Sequence, residues 1–210
     1  ILVDIGLHIE NYINYTDDEE FVHVDANELI KLKAAPDVSL IDDWKNTVTG
    51  IIPSHAHLDH LGAAPFLAGR FSAPIFGTPF TMEVLKNILQ GEKVDLPNKI
   101  IPIAVNGSKK VGKLKIELIN MTHSTPQTAA IAIHTHQGIV VYMCDFKLDE
   151  TPTLGPISNV KRLKELGEKG VIALILDSTN AKDEGNTPSE AVAKEMLNEV
   201  VAGIRQKDIG

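Results

Sequence analysis

Apolar positions along the chain fall into short runs, and the runs alternate between strand and helix periods. Residues 1–5 read as an apolar strand ending at Asp4-Ile5-Gly6, where the glycine supports a tight turn. Residues 25–35 have helical spacing, with Leu29, Ile30 and Leu32 inward and Pro36 past the end. A buried strand is predicted over 48–53, a helix start over 61–67, a brief strand over 74–77 and a helix over 78–90 through Met82, Leu85 and Leu89. Strands follow at 100–105 and 113–120, divided by the turn signal Asn106-Gly107. The second alternates Leu114, Ile116 and Leu118 with Lys113, Lys115 and Glu117, as a half-buried strand does. Two more strands, 129–135 and 139–144, join at Gln137-Gly138. A helix over 158–168, closed by Gly167 and Gly170, leads into the wholly apolar run 171–176, which predicts a strand covered on both faces. Thr187-Pro188-Ser189-Glu190 has the form of a capping box, and the helix it opens is expected to bury Val192, Met196, Leu197, Val200 and Ile204.

Composition adds bounds. The chain has 210 residues, 43% hydrophobic and 23% charged, which suits one sizeable domain or one domain and the start of another. A formal charge of -8 argues against a large nucleic-acid surface built from the chain alone, although bound divalent ions would add positive charge locally. Asp17-Asp18-Glu19-Glu20 reads as a solvated charge run, and Trp44 as a packing residue. The single Cys144 rules out an intramolecular disulfide, and neither a membrane-spanning run nor a signal pattern is present, so a reducing cytoplasm is expected. The chain begins within a strand and without Met, as a piece of a longer protein would.

The chemistry is concentrated in Ser54-His55-Ala56-His57-Leu58-Asp59-His60. In an extended segment His55 and His57 point the same way, so they can offer two ring nitrogens to one cation, with Asp59 and His60 facing a neighbouring point. Neutral imidazole with carboxylate suits zinc, or less selectively manganese or iron. A histidine-rich surface loop is the bland alternative, but the run lies between buried-looking elements and has no repeat. Further candidates sit just beyond strand ends: His123 after 113–120, and Asp145 after 139–144, whose two oxygens could bridge two cations. His134 and His136 read as a solvent-facing pair, His8 and His23 have no supporting context, and Cys144 reads as buried packing.

His55-Ala56-His57-Leu58-Asp59-His60 resembles the H-x-H-x-D-H signature of metallo-β-lactamase fold hydrolases, and Asp4, His123 and Asp145 fall where those proteins carry other motifs. Asp145-Phe146-Lys147-Leu148-Asp149 and Leu176-Asp177-Ser178-Thr179-Asn180 are similar to the β-CASP nucleases, and among these to the ribonuclease J family of archaeal type. The resemblance implies an α+β fold, a metallo-β-lactamase αββα sandwich over 1–176, with an α/β β-CASP domain beginning at 177–210. It implies that His55, His57 and His123 bind one zinc, that Asp59 and His60 bind a second, with manganese possible, and that Asp145 bridges both. Asp4 would orient ligand histidines, Asp59 and Asp177 would be catalytic, and Ser124, Thr125 and Ser178 would hydrogen-bond phosphate oxygens. Two departures stand out: bacterial members carry an acidic residue where Gln127 stands, and many relatives have Gly where Cys144 stands. The family's first strands would precede Ile1, and its leaving-group acid and final ligand histidine would follow Gly210, so this chain alone is expected to be weakly active at best.

The expected function is a zinc-dependent ribonuclease acting 5′ to 3′, with endonuclease capability, on RNA, and homodimeric when intact. A hydrolase of a small ester, thioester or lactam would keep the metal site, but Asp177-Ser178-Thr179 behind a buried strand speaks against it. A non-catalytic RNA-binding homologue should have lost ligands, and here all of them in the covered region are present.

Overall fold

The computed structural model describes residues 1–17 and 24–207. His23 and most of the acidic run Asp17-Asp18-Glu19-Glu20 lie outside the described residues. The first half runs β1 (Leu2–Val3), α1 (Ile9–Asp17), α2 (Ala26–Lys31), a 3-10 segment (Val38–Thr47), β2 (Ile51–Ile52), α3 (Leu58–Leu61), α4 (Ala64–Leu67), β3 (Ile75–Gly77), α5 (Pro79–Glu92) and β4 (Ile100–Pro102). The second runs β5 (Ser108–Val111), β6 (Leu114–Asn120), β7 (Ala129–His134), β8 (Ile139–Tyr142), α6 (Val160–Gly170), β9 (Val171–Ile175) and α7 (Glu190–Lys207).

These strands make two sheets. The first is parallel, in order β1-β2-β3-β4. The second, in order β5-β6-β7-β8-β9, is antiparallel up to β8 and closes with β9 parallel to β8. Strand alternation then sorts the side chains into layers. Ile52, Phe76, Val111, Ile116, Leu118 and Ile131 meet between the sheets. Ile51 and Ile75 turn the other way and pack under Leu29, Leu61, Leu67, Met82 and Leu85 from the helices. On the far side Ile119, Ala130, Ala132 and Val141 pack against Leu166 of α6. The result is helix, sheet, sheet, helix, as expected for an αββα sandwich.

Several expectations need correction. β6 is covered on both faces: Glu117 is 6% exposed, because α6 lies over it and Arg162 meets its carboxylate from Nε at 2.5 Å and from Nη2 at 2.9 Å. His134 turns to the same carboxylate, Nε2 to Oε2 at 3.1 Å, so it is half-buried while His136 is exposed, and the two do not form a solvent-facing pair. The helix expected over 25–35 is only α2; Asp25 caps it and Leu29 is buried, but Leu32 lies past its end and is exposed. α6 runs through Gly167 and stops at Gly170, where φ is 99°. Trp44 is 69% exposed, since the 3-10 segment carries it along the surface. α7 begins two residues later than the box implied, with the Ser189 hydroxyl accepting from Ala191 N.

The apolar run 171–176 is not covered on both faces. Ile172, Leu174, Ile175 and Leu176 are exposed, because β9 is an edge strand of its sheet and α6 covers only its start. Val192, Met196, Leu197, Val200 and Ile204 of α7 are exposed as well. Apolar patterning encodes a demand for cover, and the neighbour that meets it is a tertiary matter.

Candidate metal centre

The site lies where the carboxyl ends of β1 and β2 face the loops after β6 and β8. β2 ends at Ile52, and the chain bends at residues 54–56, not running extended as expected, before His57 (φ -69°, ψ 148°) opens α3; His55 and His57 face one point, and Asp59 and His60 another. A long approach segment holds this loop: Ile5 N donates to His60 O, Leu7 N to Leu58 O and Ala63 N to Ile5 O. Between them Gly6 passes so close that a Cβ there would sit 1.6 Å from the Asp59 carbonyl oxygen. Gly6 is thus needed for close approach and not for the expected turn; the left-handed residue is Asp4, with φ 54°.

His55 Nε2 and His123 Nε2 each lie 3.1 Å from His57 Nδ1. Two imidazole nitrogens bound about 2.0–2.1 Å from a tetrahedral ion would be about 3.3 Å apart, so three lone pairs gather here as around one cation. Asp145 Oδ2 lies 3.7 Å from His123 Nε2, completing a set of His55, His57, His123 and Asp145. The other carboxylate oxygen, Oδ1, is 3.4 Å from His60 Nε2, and Asp59 Oδ2 is 3.6 Å from the same nitrogen, giving a second set of Asp59, His60 and Asp145. The two sets share Asp145, one oxygen to each. The residues present therefore fit two divalent cations.

Hydrogen bonds outside the sets point the ring nitrogens inward. Asp4 Oδ1 accepts from Ser54 N at 2.6 Å, and Asp4 Oδ2 accepts from His60 Nδ1 at 2.7 Å, which leaves His60 Nε2 free. Ser54 Oγ lies 3.0 Å from both Asp4 Oδ2 and His55 Nδ1; donating to the carboxylate and accepting from the ring, it leaves His55 Nε2 free. His57 Nε2 faces Ser124 Oγ at 3.4 Å, freeing Nδ1. Burial, reinforced by His60, His123 and His57, pushes the His55 pKa down to about 2, so the ring is neutral at neutral pH with a lone pair available to a cation. Burial, and then His57, lowers His123. For His60 burial opposes the charged form, but the hydrogen bond to Asp4 and the carboxylates of Asp4, Asp145 and Asp59 outweigh it and raise the pKa.

The remaining sequence candidates divide. Ser124 is exposed at the rim beside His57, whereas Thr125 is 8% exposed and its carbonyl accepts from Thr128 Oγ1. Asp177 is outside both ligand sets, at the exposed end of β9, with Oδ1 accepting from Thr179 N and Oγ1. It lines, with Ser178, Phe146 and Lys147, a cleft of ≈ 410 Å³. Lys147 pairs with Asp149, Nζ to Oδ2 at 3.3 Å, and not with Asp145. Asp149 in turn accepts from Glu190 N at 2.7 Å and Ser189 Oγ at 2.8 Å, fixing the start of α7 to the Asp145 loop.

Two residues that the pattern reading left without a role matter here. Gln127, at φ 58°, reaches back so that its Oε1 accepts from Phe80 N in the first turn of α5, tying the His123 loop to that helix. Tyr142 donates its hydroxyl to Asp4 Oδ2 at 2.7 Å. Burial first, then the Asp4 charge, holds its pKa far above the ordinary phenol value, so the hydroxyl stays a donor. The signal was a phenol on a strand otherwise of Ile and Val, since a buried Tyr hydroxyl needs a partner.

The chain is 40% identical over 95% of its length to Ribonuclease J of Pyrococcus abyssi, and 34% identical over 99% to Ribonuclease J of Methanocaldococcus jannaschii. It covers 44% and 47% of those proteins, so it spans about half the length of the curated relatives it matches. A crystal structure of a protein of unknown function from Enterococcus faecalis V583 aligns with 89% of this chain and 46% of its own, at a TM-score of 0.55 and 19% identity, which bears on the fold alone. The family described as "Beta-lactamase superfamily domain" matches residues 34–160. That stretch holds both donor sets except Asp4's support, and with the paired sheets around it, the chain belongs to the β-lactamase superfamily domain family.

Proposed function

We propose that the chain carries the metal centre of a ribonuclease that hydrolyses RNA phosphodiester bonds, 5′ to 3′ with endonuclease capability. The observation that carries this reading is the pair of donor sets sharing Asp145, on a chain that matches Ribonuclease J proteins along almost its whole length. Two divalent cations, zinc or alternatively manganese, would supply Lewis acidity toward the phosphodiester and activation of water.

The chain's own groups do the rest. His55, His57, His123 and Asp145 would hold one ion; Asp59, His60 and Asp145 would hold the other. The Asp59 side chain, 52% exposed, is free to accept a proton from attacking water and to orient it. Ser124 Oγ at the rim and Ser178 in the neighbouring cleft offer donors to phosphate oxygens, with Thr125 contributing through the shape of its loop. Asp177, stiffened by Thr179, adds a carboxylate at the cleft mouth, and residues 177–210 would open the β-CASP domain that follows the 1–176 unit. No helix among the described residues is long and apolar enough to cross a membrane. With a single buried Cys144, the cytoplasm is the proposed compartment, and a homodimer the proposed assembly.

The test compares 5′-monophosphorylated, end-labelled RNA with a chromogenic β-lactam as substrates of the intact protein, of which this chain would supply the metal centre. Cleavage of RNA, lost with chelator and restored by zinc or manganese, is expected; turnover of the lactam with RNA untouched would overturn the reading. The labelled products read the direction of cutting, and light scattering reads the assembly.

A further inference from the structure

Resting on the two-ion reading, we propose that Tyr142 is a positioning residue of this centre, its phenol holding the Asp4–histidine-loop unit in place against Asp145. Asp4 Oδ2 takes hydrogen bonds from Tyr142 at 2.7 Å, His60 Nδ1 at 2.7 Å and Ser54 Oγ at 3.0 Å, while Oδ1 takes Ser54 N at 2.6 Å. Ser54 and His60 belong to the same loop as the histidines of the donor sets, so those bonds join Asp4 to the loop; the loop backbone meets the second sheet where Ser54 O accepts from Ala129 N at 3.1 Å, which leaves the Asp4 carboxylate itself to be placed by a side chain. Tyr142 is the partner of Asp4 that comes from the second sheet. It lies on β8, three residues before Asp145, so the phenol is the side-chain tie that holds the Asp4 carboxylate, and with it His60 Nδ1, in register with the shared carboxylate, beside the backbone bond from Ala129 N to Ser54 O at 3.1 Å.

The geometry also says which ion should respond. In the set of Asp59, His60 and Asp145, only Asp145 comes from the second sheet, and His60 Nε2 to Asp145 Oδ1 is 3.4 Å. A small drift of the loop opens that set directly. The other set has four donors, two of them, His123 and Asp145, from the second sheet, so it is better able to close around its ion. A Phe at position 142 would fill the same space and leave Asp4 tied to its own loop only. Partners outside the ligand set are worth about 10–100-fold in metal affinity when they act this way.

The test is Tyr142→Phe, with zinc affinities and stoichiometry read by competition with a chromophoric chelator, cobalt(II) spectra of each loaded state, and thermal melting of the metal-free protein. Expected is a loss of about tenfold or more at the weaker site with an altered cobalt spectrum there, a change under about threefold at the stronger one, and an almost unchanged metal-free melting temperature. On an Asp4→Ala background, which removes the acceptor of the phenol, the same substitution should add nothing, because the route through Asp4 is already cut. Unchanged affinities at both sites, additivity with Asp4→Ala, or a metal-free variant that unfolds or weakens both sites alike would overturn the proposal, the last by assigning the phenol to the fold. A wild-type protein that binds no ion would overturn the metal reading instead.

Discussion

At Cys144 the backbone sits at φ 53°, in the left-handed region that costs an L residue about 1–2 kcal/mol. The residue is 2% exposed, with Sγ 3.5 Å from Ala129 O and 3.3 Å from Asp145 O, so the thiol is packed and burial holds it protonated. The turn that aims Asp145 needs a positive φ, which a glycine at this position would adopt without strain. Cys144→Gly should therefore change the stability of the metal-free protein by less than about 1 kcal/mol, the relief of strain offsetting lost packing and the added freedom of the unfolded chain. Cys144→Val, branched at Cβ, should lose more than about 1 kcal/mol and metal with it. Urea unfolding and metal content read both. The sequence placed Cys144 inside; its dihedral angle had no signature there, because handedness at one residue is set by the strand and loop it joins.

Two element-level contacts make sharper predictions. Gly6→Ala puts a Cβ against the Asp59 carbonyl, between the backbone bonds that hold the 5–7 segment to α3. Since backbone and not a flexible side chain stands in the way, the loss should reach or exceed the about 1–3 kcal/mol of core overpacking, with metal binding lost as α3 is displaced; isothermal titration with zinc and thermal melting measure it. The second contact is Glu117 under α6. The hydrogen bonds from Arg162, then those from His134, hold its carboxyl below the usual carboxylate range against the opposing effect of burial. Between the folded and unfolded values the unfolded chain binds more protons, so stability rises with pH there. The contribution is complete above the unfolded value and is lost as pH falls through the folded one. Glu117→Gln should flatten that acid limb of the stability curve, and Glu117→Ala, leaving Arg162 with Glu165 as its remaining partner, should cost about 1–3 kcal/mol. Period-2 alternation located β6 correctly but assigned Glu117 to solvent, because a pattern of alternate polar residues does not say whether a helix lies on the polar side.

For the whole molecule the formal charge of -8 sets the problem of holding a polyanion. The proposed ions are the main compensation, so chelation should lower affinity for single-stranded RNA by more than about tenfold at moderate salt, and should also lower the melting temperature, because ions that bind only the folded chain stabilise it. Filter binding with and without chelator checks the first effect; tight RNA binding by the stripped protein would contradict it. Among the described residues the apolar side chains of β9 at the edge of the second sheet and of α7 stand exposed beside the packed sandwich.

The sequence by itself determined where the metal-capable side chains cluster. Six candidate ligands were legible because His and Asp clustered at strand ends leave few other uses for those side chains, whereas the alternation of strand and helix periods located elements and the αββα order came only with the family resemblance those residues carry. Tertiary structure decided which oxygen of Asp145 faces which group, how Asp4, Ser54 and Tyr142 join into one network, and why Gly6 must be glycine. These depend on residues up to 138 positions apart meeting within hydrogen-bond distance, and no local pattern encodes such a meeting.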